Sequence, residues 1–427
     1  MPPVFIWTLF ALSSYSVVAQ DLKSSTAWRS PNITLSKEDR INIAGAALET
    51  AINNLNQSNG QFIDDIYDGV GSLYAQMAEF DGLTNQTKYK DMLKQYFALV
   101  ESTKPGFLDG LSYGYAAARA YNIYQDPDFL SRAVTSWDSA RRYTISDEQA
   151  ASGTMDTKQF TFPSSCKGAT LTGGTYYDTD PNNTNIASTS TGLSALLAEA
   201  TSSKTYIDAA VESAYFIQSH LLNTSNHVVL GSIEPSPNCA VDGSTLVYDS
   251  IGSGLFIEGM VVLADITAYN ASTNALLRST IADVTTDSLW QGVNGVYDNN
   301  DGGGHYIVRA LASLYERNTT SSDLREYIKE YIGVQYNSVI ELARSSNEST
   351  IYGLPWTGPP GTSFDDVAQI TALTALISAI QLADNPTSSD IPTSSASASL
   401  SPQSSTGSRA PFSCANDIVR GTKALWL

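Results

Sequence analysis

Residues 73–89 read L-Y-A-Q-M-A-E-F-D-G-L-T-N-Q-T-K-Y: an apolar helical pattern, a short polar turn, then a tyrosine that opens a second helix. The same shape returns at 117–129, A-A-R-A-Y-N-I-Y-Q-D-P-D-F, and at 196–206, L-L-A-E-A-T-S-S-K-T-Y. Weaker copies run V-V-L-A-D-I-T-A-Y-N-A-S-T-N-A-L over 261–276 and A-L-A-S-L-Y-E-R-N-T-T-S-S-D-L over 310–324. A repeat of this kind marks helical hairpins that bury their apolar faces against one another. Helical periodicity dominates the chain and almost no alternating strand pattern appears. Helices are predicted at about 37–57, 65–82, 86–102, 108–124, 127–143, 185–201, 203–222, 252–268, 273–290, 303–318, 321–345 and 364–382. Long connections at 144–184, 223–250 and 346–363 make the spacing irregular, whereas an open solenoid repeats at a fixed period. Twelve helices in six hairpins predict an all-α fold, an (α/α)6 barrel or six-hairpin toroid with long loops lining a cleft. An ordinary α-solenoid is the alternative.

One helix carries a candidate for chemistry. In P-G-F-L-D-G-L-S-Y-G-Y-A-A-A-R-A-Y, residues 105–121, Pro105 and Gly106 break the preceding helix and Asp109 stands where the next begins. Tyr113, Ala116, Ala117, Ala120 and Tyr124 then recur at helical spacing, and the small residues let a neighbouring helix come close. Asp109 is either a catalytic acid at the mouth of an inner helix or a cap, since Asp favours the first turn on electrostatic grounds alone.

Composition bounds the class of function. The formal net charge is −19, with a pI near 4.4, so the basic footprint of a nucleic-acid binder is missing. Residues 1–20 hold a short apolar run followed by S-V-V-A, which reads as a signal peptide cut near Ala19 and Gln20 and is too short to span a membrane. Eight N-x-S/T acceptors, at Asn32, Asn56, Asn85, Asn182, Asn223, Asn270, Asn318 and Asn347, fit a glycosylated, secreted protein of the extracellular space or cell wall. The expected organisation is a leader over 1–20, a folded domain over 21–383 and a Ser/Thr-rich disordered tail over 384–427. Three cysteines allow one internal bridge at a time; Cys166 and Cys239, in two Gly/Ser/Pro-rich loops, are favoured over Cys414 of the tail, although sequence does not settle connectivity.

Most catalytic devices are excluded. His220, His227 and His305 show no i, i+4 ligand spacing and C-x-x-C is absent, so no metal or other cofactor is expected. D-G-G-G-H at 301–305 lacks the phosphate-loop order and reads as the opening of a helix. Gly110, Ser112 and Gly114 match G-x-S-x-G, but a nucleophile elbow needs a strand before it, and here a helix surrounds it. Paired carboxylates remain, as glycoside hydrolysis requires. Asp64–Asp65 and Asp365–Asp366 are the adjacent pairs, each at a helix start where capping is the simpler role. Asp178 and Asp180 follow Tyr176 and Tyr177 in a loop that either faces a cleft or makes an Asx turn before Pro181.

The ordered motifs resemble glycoside hydrolase family 76, the endo-α-1,6-mannanases, and especially its divergent fungal members. L-D-G-L-S-Y-G-Y-A-A-A-R-A-Y at 108–121 is similar to the family's Asp-Asp helix, and C-K-G-A-T-L-T-G-G-T-Y-Y at 166–177 to its Cys-Gly-Gly-Gly-x-x-Trp loop. V-Y-D-S-I-G-S-G-L-F-I-E-G at 247–259 resembles its Tyr-Asn-Gln-Gly segment. D-G-G-G-H-Y-I-V-R-A-L-A at 301–312 and G-L-P-W-T-G-P-P at 353–360 resemble later segments. The resemblance covers about residues 37–382 and implies an (α/α)6 barrel. In the family the two aspartates are nucleophile and acid/base; here the second falls on Asp109 and the first on Leu108. The loop tryptophan becomes tyrosine, and Tyr-Asn-Gln becomes Tyr248, Asp249 and Ser250.

The resemblance implies a secreted glycoside hydrolase on α-mannan-like cell-wall polysaccharide, expected to act as a monomer, with Asp109 as acid/base. Tyr113, Tyr176, Tyr177, Asp178, Tyr248, Asp249 and Trp356 are the candidate substrate-binding residues. A leucine cannot form a glycosyl ester, so an inactive mannan-binding barrel is a second reading, and a cell-wall transglycosylase a third.

Overall fold

A computed structural model describes residues 22–63, 67–103, 106, 111–187, 191–236, 239–240, 250–267, 271–299, 303–317 and 321–384. The expected leader and all but the first residue of the expected tail lie outside these residues, as does Cys414.

The helices are α1 (Lys37–Asn53), α2 (Tyr67–Leu83), α3 (Lys90–Thr103), α4 (Leu111–Tyr124), α5 (Pro127–Arg141), α6 (Asp147–Ser152), α7 (Thr191–Thr201), α8 (Lys204–Phe216), α9 (Ser250–Ile266), α10 (Ala271–Val284), α11 (Gly304–Glu316), α12 (Ser322–Glu341) and α13 (Asp366–Ser378). Two chemistries separate them. The outer helix α5 starts from the Asp126 cap with Pro127 in its first turn, and buries only Phe129, Ala133, Ser136, Trp137 and Ala140. That is one stripe at helical spacing, the mark of a helix with water on one side. The inner helix α9 buries residues on every side, from Ser250 and Gly252 through Phe256, Ile257 and Glu258 to Ala264. A helix apolar all round belongs in an interior.

The inner helices form a ring. α2 lies against α4, α4 against α7, α7 against α9, α9 against α11, α11 against α13, and α13 returns to α2. This closure decides between barrel and open solenoid: the described residues form an (α/α)6 barrel. Glycines permit the tightest approaches. A Cβ on Gly71 would stand 2.7 Å from the Ser112 backbone across α2 and α4, and one on Gly254 would stand 2.5 Å from the Tyr306 backbone across α9 and α11. Gln76 closes the ring by donating from Nε2 to Ile370 O at 2.9 Å, and Gln369 Nε2 ties α13 to α1 through Ala47 O at 3.0 Å. The segment before α1 crosses the outside of α12, where Trp28 meets the rings of Tyr327 and Tyr331 at 5.2 and 5.8 Å.

The two ends of the barrel differ. Connections from inner to outer helices are short, as at 84–89, 125–126 and 202–203. Most of those from outer to inner are long, as over 142–190, 285–303 and 342–365, with 104–110 between α3 and α4 the short exception. The long segments therefore gather where the inner helices begin. Two small antiparallel sheets stand among them: β1 (Ser165–Cys166) with β2 (Ala169–Thr170), and β3 (Thr175–Tyr176), β4 (Ile186–Ala187) and β5 (Ser232–Ile233) in that order. A disulfide joins Cys166 to Cys239, with Cα atoms 5.6 Å apart, and so ties the two loops that carry β1–β4 and β5.

Candidate functional site

The end where the inner helices begin is the candidate site. Among the described residues, most exposed large apolar side chains belong to segments at this end. Ile63 precedes α2, Tyr177 sits between α5 and α7, Ile251 opens α9, and Leu289 and Val293 lie between α10 and α11. Tyr177 is 65% exposed and Val293 95%, so both rims offer uncovered apolar surface of the kind that marks a binding face.

The expected catalytic residue, Asp109, falls outside the described residues, with Leu108, Tyr248, Asp249 and the pair Asp64–Asp65. In the chain Asp109 precedes Leu111, the first residue of α4, by two positions. Of the expected substrate-binding residues that are described, Tyr177 alone offers an open ring. Tyr113, Tyr176 and Trp356, expected to bind substrate, are buried and present no open ring face to a sugar. Tyr113 turns into the wedge between α2, α3 and α4, exchanges hydrogen bonds with Gln61 at 2.7 to 3.0 Å, and meets Tyr74 and Phe97 edge-on. Tyr176 belongs to β3 and is covered by Phe160, Phe162 and the Lys158 ammonium, 4.5 Å above its ring. Trp356 packs on Tyr297 with ring centres 5.8 Å apart. Aromatic spacing and loop position cannot tell a core ring from a cleft ring; burial does.

Asp178 has a structural task. Its Oδ1 accepts from Asp180 N at 2.9 Å, making the Asx turn that was one of the two readings, and its Oδ2 accepts from Asn183 Nδ2 at 2.6 Å. Lys158 Nζ organises the same loop by donating to the carbonyls of Asp178, Asp180 and Asn183 at 3.1, 2.7 and 3.1 Å. Burial pushes the Lys158 ammonium down, against the pull of Asp178 and Asp180. Asp365 is likewise a cap, accepting from Ala368 N at 2.8 Å at the start of α13. Ser112, of the G-x-S-x-G match, lies in the first turn of α4 and not on a strand elbow. Cys166, Cys239 and His220 come together, but the two sulfurs are bonded to each other and offer no thiolate, while His220 Nε2 is held by Thr170 O at 2.7 Å.

The sequence reading missed the charges inside the barrel. Glu258 of α9 is buried; its Oε1 accepts from the Tyr115 hydroxyl at 2.6 Å and its Oε2 from Arg309 Nε at 3.0 Å. The Arg309 guanidinium also lies over the Tyr115 ring, 4.1 Å from its centre. Burial alone would raise the Glu258 carboxyl, but Arg309, Arg119 and the Tyr115 hydroxyl outweigh it and hold the group below its ordinary range. Arg119 Nε donates to Glu79 Oε1 at 2.8 Å, joining α4 to α2. The signal was present: I-V-R-A-L-A, F-I-E-G-M-V and A-A-A-R-A-Y each set one charge in an apolar run, and a buried charge must find a partner.

A sequence profile of glycosyl hydrolase family 76 matches residues 44–391. The chain belongs to glycosyl hydrolase family 76. No curated protein is similar enough in sequence to match it. Among solved structures, the fold is similar to an inactive variant of an α-1,6-mannanase from Salegentibacter sp. HEL1_6, in which two aspartates were replaced by alanine, in complex with α-1,6-mannotetrose. The TM-score is 0.65 and the identity 16%, covering 81% of this chain and all of that one. It is also similar to a family 76 mannosidase from Bacteroides thetaiotaomicron VPI-5482, with TM-score 0.59 and 16% identity over 80% of this chain and 98% of the other. An unsaturated glucuronyl hydrolase from Streptococcus agalactiae shares the fold at TM-score 0.55 and 13% identity, over 83% and 96% of the two chains. These likenesses establish the barrel.

Proposed function

We propose that this family 76 member is a secreted glycoside hydrolase that cleaves α-mannan-like cell-wall polysaccharide, with Asp109 as the general acid/base. Family membership over 44–391 is the observation that carries the reading. The α-1,6-mannanase from Salegentibacter supports it, since that protein is described as inactive after replacement of two aspartates and was captured with an α-1,6-mannotetrose. Protonation of a leaving glycosidic oxygen needs a carboxylic acid beside the bond, and the motif match gives that role to Asp109. The polysaccharide would lie across the end where the inner helices begin, against Tyr177, Ile251 and Val293, which leave apolar surface uncovered there. Eight glycosylation acceptors and the N-terminal apolar run support secretion.

Leu108 favours a second reading, a barrel that binds mannan without cutting it. A retaining hydrolase needs a second carboxylate about 5–5.5 Å from the first, as nucleophile. An inverting one needs a base about 6.5–9.5 Å away. Incubation of purified protein with linear α-1,6-mannan, with a binding isotherm on the same polymer, separates the two. Release of reducing ends supports the hydrolase; tight binding without product supports the binder; neither sinks the mannan assignment.

A further inference from the structure

The hairpin that joins β3 to β4 runs over 177–185 and reads Y-D-T-D-P-N-N-T-N. It begins with Tyr177, the open ring at the proposed substrate end. Three of its main-chain carbonyls, those of Asp178, Asp180 and Asn183, meet at Lys158 Nζ, at 3.1, 2.7 and 3.1 Å. An ammonium has three N–H groups, so each carbonyl takes one and none is left over. Lys158 is only 6% exposed, and its ammonium lies 4.5 Å from the centre of the Tyr176 ring and 5.9 Å from that of Tyr143.

We propose that Lys158 is a positioning residue for the substrate: its ammonium gathers the hairpin and so holds Tyr177 as a wall against the polysaccharide. That role rests on the proposed function, in which mannan lies across this end. Tyr177 is held from both sides. Before it, Tyr176 donates from its N–H to Tyr143 O at 3.0 Å and lies beneath the Lys158 ammonium. After it, Asp178 gives its carbonyl to the same ammonium. Tyr177 itself donates from its N–H to Asn185 O at 2.8 Å across the hairpin. An exposed ring contributes most to affinity where its backbone is already ordered, because ordering it on binding subtracts from the gain.

The other contacts within the arc are local. Asp178 Oδ1 accepts from Asp180 N, Asp180 Oδ1 from Asn182 N and Asn183 Oδ1 from Asn185 N, each at 2.9 Å. Such turns set the curvature between residues two apart and do not tie the arc to the rest of the chain. Lys158 does, and Gln159 N shares the task by donating to Pro181 O at 2.9 Å. Without the ammonium, three carbonyl dipoles would point at one another. A guanidinium is a planar fork and cannot serve three acceptors gathered about one point, which singles out lysine.

The test is a double-mutant cycle of Lys158→Met and Tyr177→Ala, read as affinity for linear α-1,6-mannan and as kcat and KM on it. Lys158→Met keeps the apolar stem and removes the ammonium. It should weaken affinity several-fold and raise KM with kcat unchanged, as loss of uniform binding does. In a Tyr177→Ala background the same change should have no further effect, because Lys158 acts through Tyr177. Amide exchange follows the hairpin without substrate. The N–H groups of Tyr177, Asp180, Asn182 and Asn185 should be protected in the parent and exchange faster in Lys158→Met by about tenfold or more, the scale of a hydrogen bond to a charged group. Should Lys158→Met lose its cooperative melting transition, Lys158→Arg, which keeps the charge but not the three-way geometry, takes its place with the same expectations. Additive losses in the cycle, a fall in kcat alone, or free exchange of the parent hairpin would overturn the proposal. A parent that binds no mannan sinks the substrate reading, and the role of Tyr177 with it, whereas additive losses in a protein that does bind mannan sink the Lys158 assignment alone.

Discussion

Arg309 Nε reaches Glu258 Oε2 at 3.0 Å in the middle of the barrel, with both side chains buried. Removing one partner leaves an unpaired charge, which costs about 3–5 kcal/mol. Arg309→Met should therefore lower stability by that amount in a urea titration. Glu258→Leu combined with Arg309→Met should recover most of it, because desolvation of the pair offsets much of its attraction. A double variant no more stable than Arg309→Met would show that packing around the Arg309 stem, not the charge, sets the cost.

Asp126 gives a pH dependence with a defined sign. Burial would raise its carboxyl, but hydrogen bonds from Lys90, the Asp128 backbone and Lys94 outweigh it and take it to about 2. A depressed folded value means the contribution is complete above the unfolded carboxyl range near 4 and fades as pH falls through about 2. Asp126 is also the α5 cap, so Asp126→Ala should cost about 1 kcal/mol at neutral pH. The gap between the two proteins should narrow on acidification below pH 4. A gap that widened there would contradict the assignment.

The Cys166–Cys239 bridge closes a span of 73 residues. Its loss should cost about 2–4 kcal/mol, toward the lower figure because β4 and β5 also hold the two loops together. Paired Cys→Ser variants compared by chemical denaturation give the number, and non-reducing peptide mapping that found two free thiols would remove the premise.

Tyr177 and Tyr113 should behave oppositely. Tyr177→Ala removes an exposed ring at the proposed substrate end, and should weaken mannan affinity several-fold with little change in melting temperature. Tyr113→Phe deletes the hydroxyl that faces Gln61, and should cost about 1 kcal/mol of stability without altering affinity. Affinity loss in Tyr113→Phe equal to that in Tyr177→Ala would return Tyr113 to the binding surface.

Each of the twelve predicted helices has a counterpart, because helical spacing and small polar turns are local properties. The apolar face of α5, for instance, can be read from Phe129, Ala133 and Trp137 alone. What escaped depends on distant partners. α6 was missed although Ser146 and Gln149 form a capping box, since six residues carry too little periodicity to stand out. The strands are two residues long and owe their existence to the barrel end on which they lie. The π-helical turn Ile217–Leu221 continues α8 where an ordinary helix was expected. Burial was the least legible property: Tyr176 and Tyr177 are neighbours of one type, and only the chain partners of β3 decide that one is inside and the other out.

The central claim is that Asp109 drives hydrolysis of mannan, and the most direct measurement is kcat/KM on linear α-1,6-mannan for the parent protein and Asp109→Asn. Loss of a general acid lowers the rate by about 10² to 10⁴, far beyond the effect of a lost cap at about 1 kcal/mol of stability. The account predicts a drop of that size with polymer affinity preserved, and a gain of activity over the parent in Leu108→Asp, which restores an adjacent pair. Full activity in Asp109→Asn would contradict it.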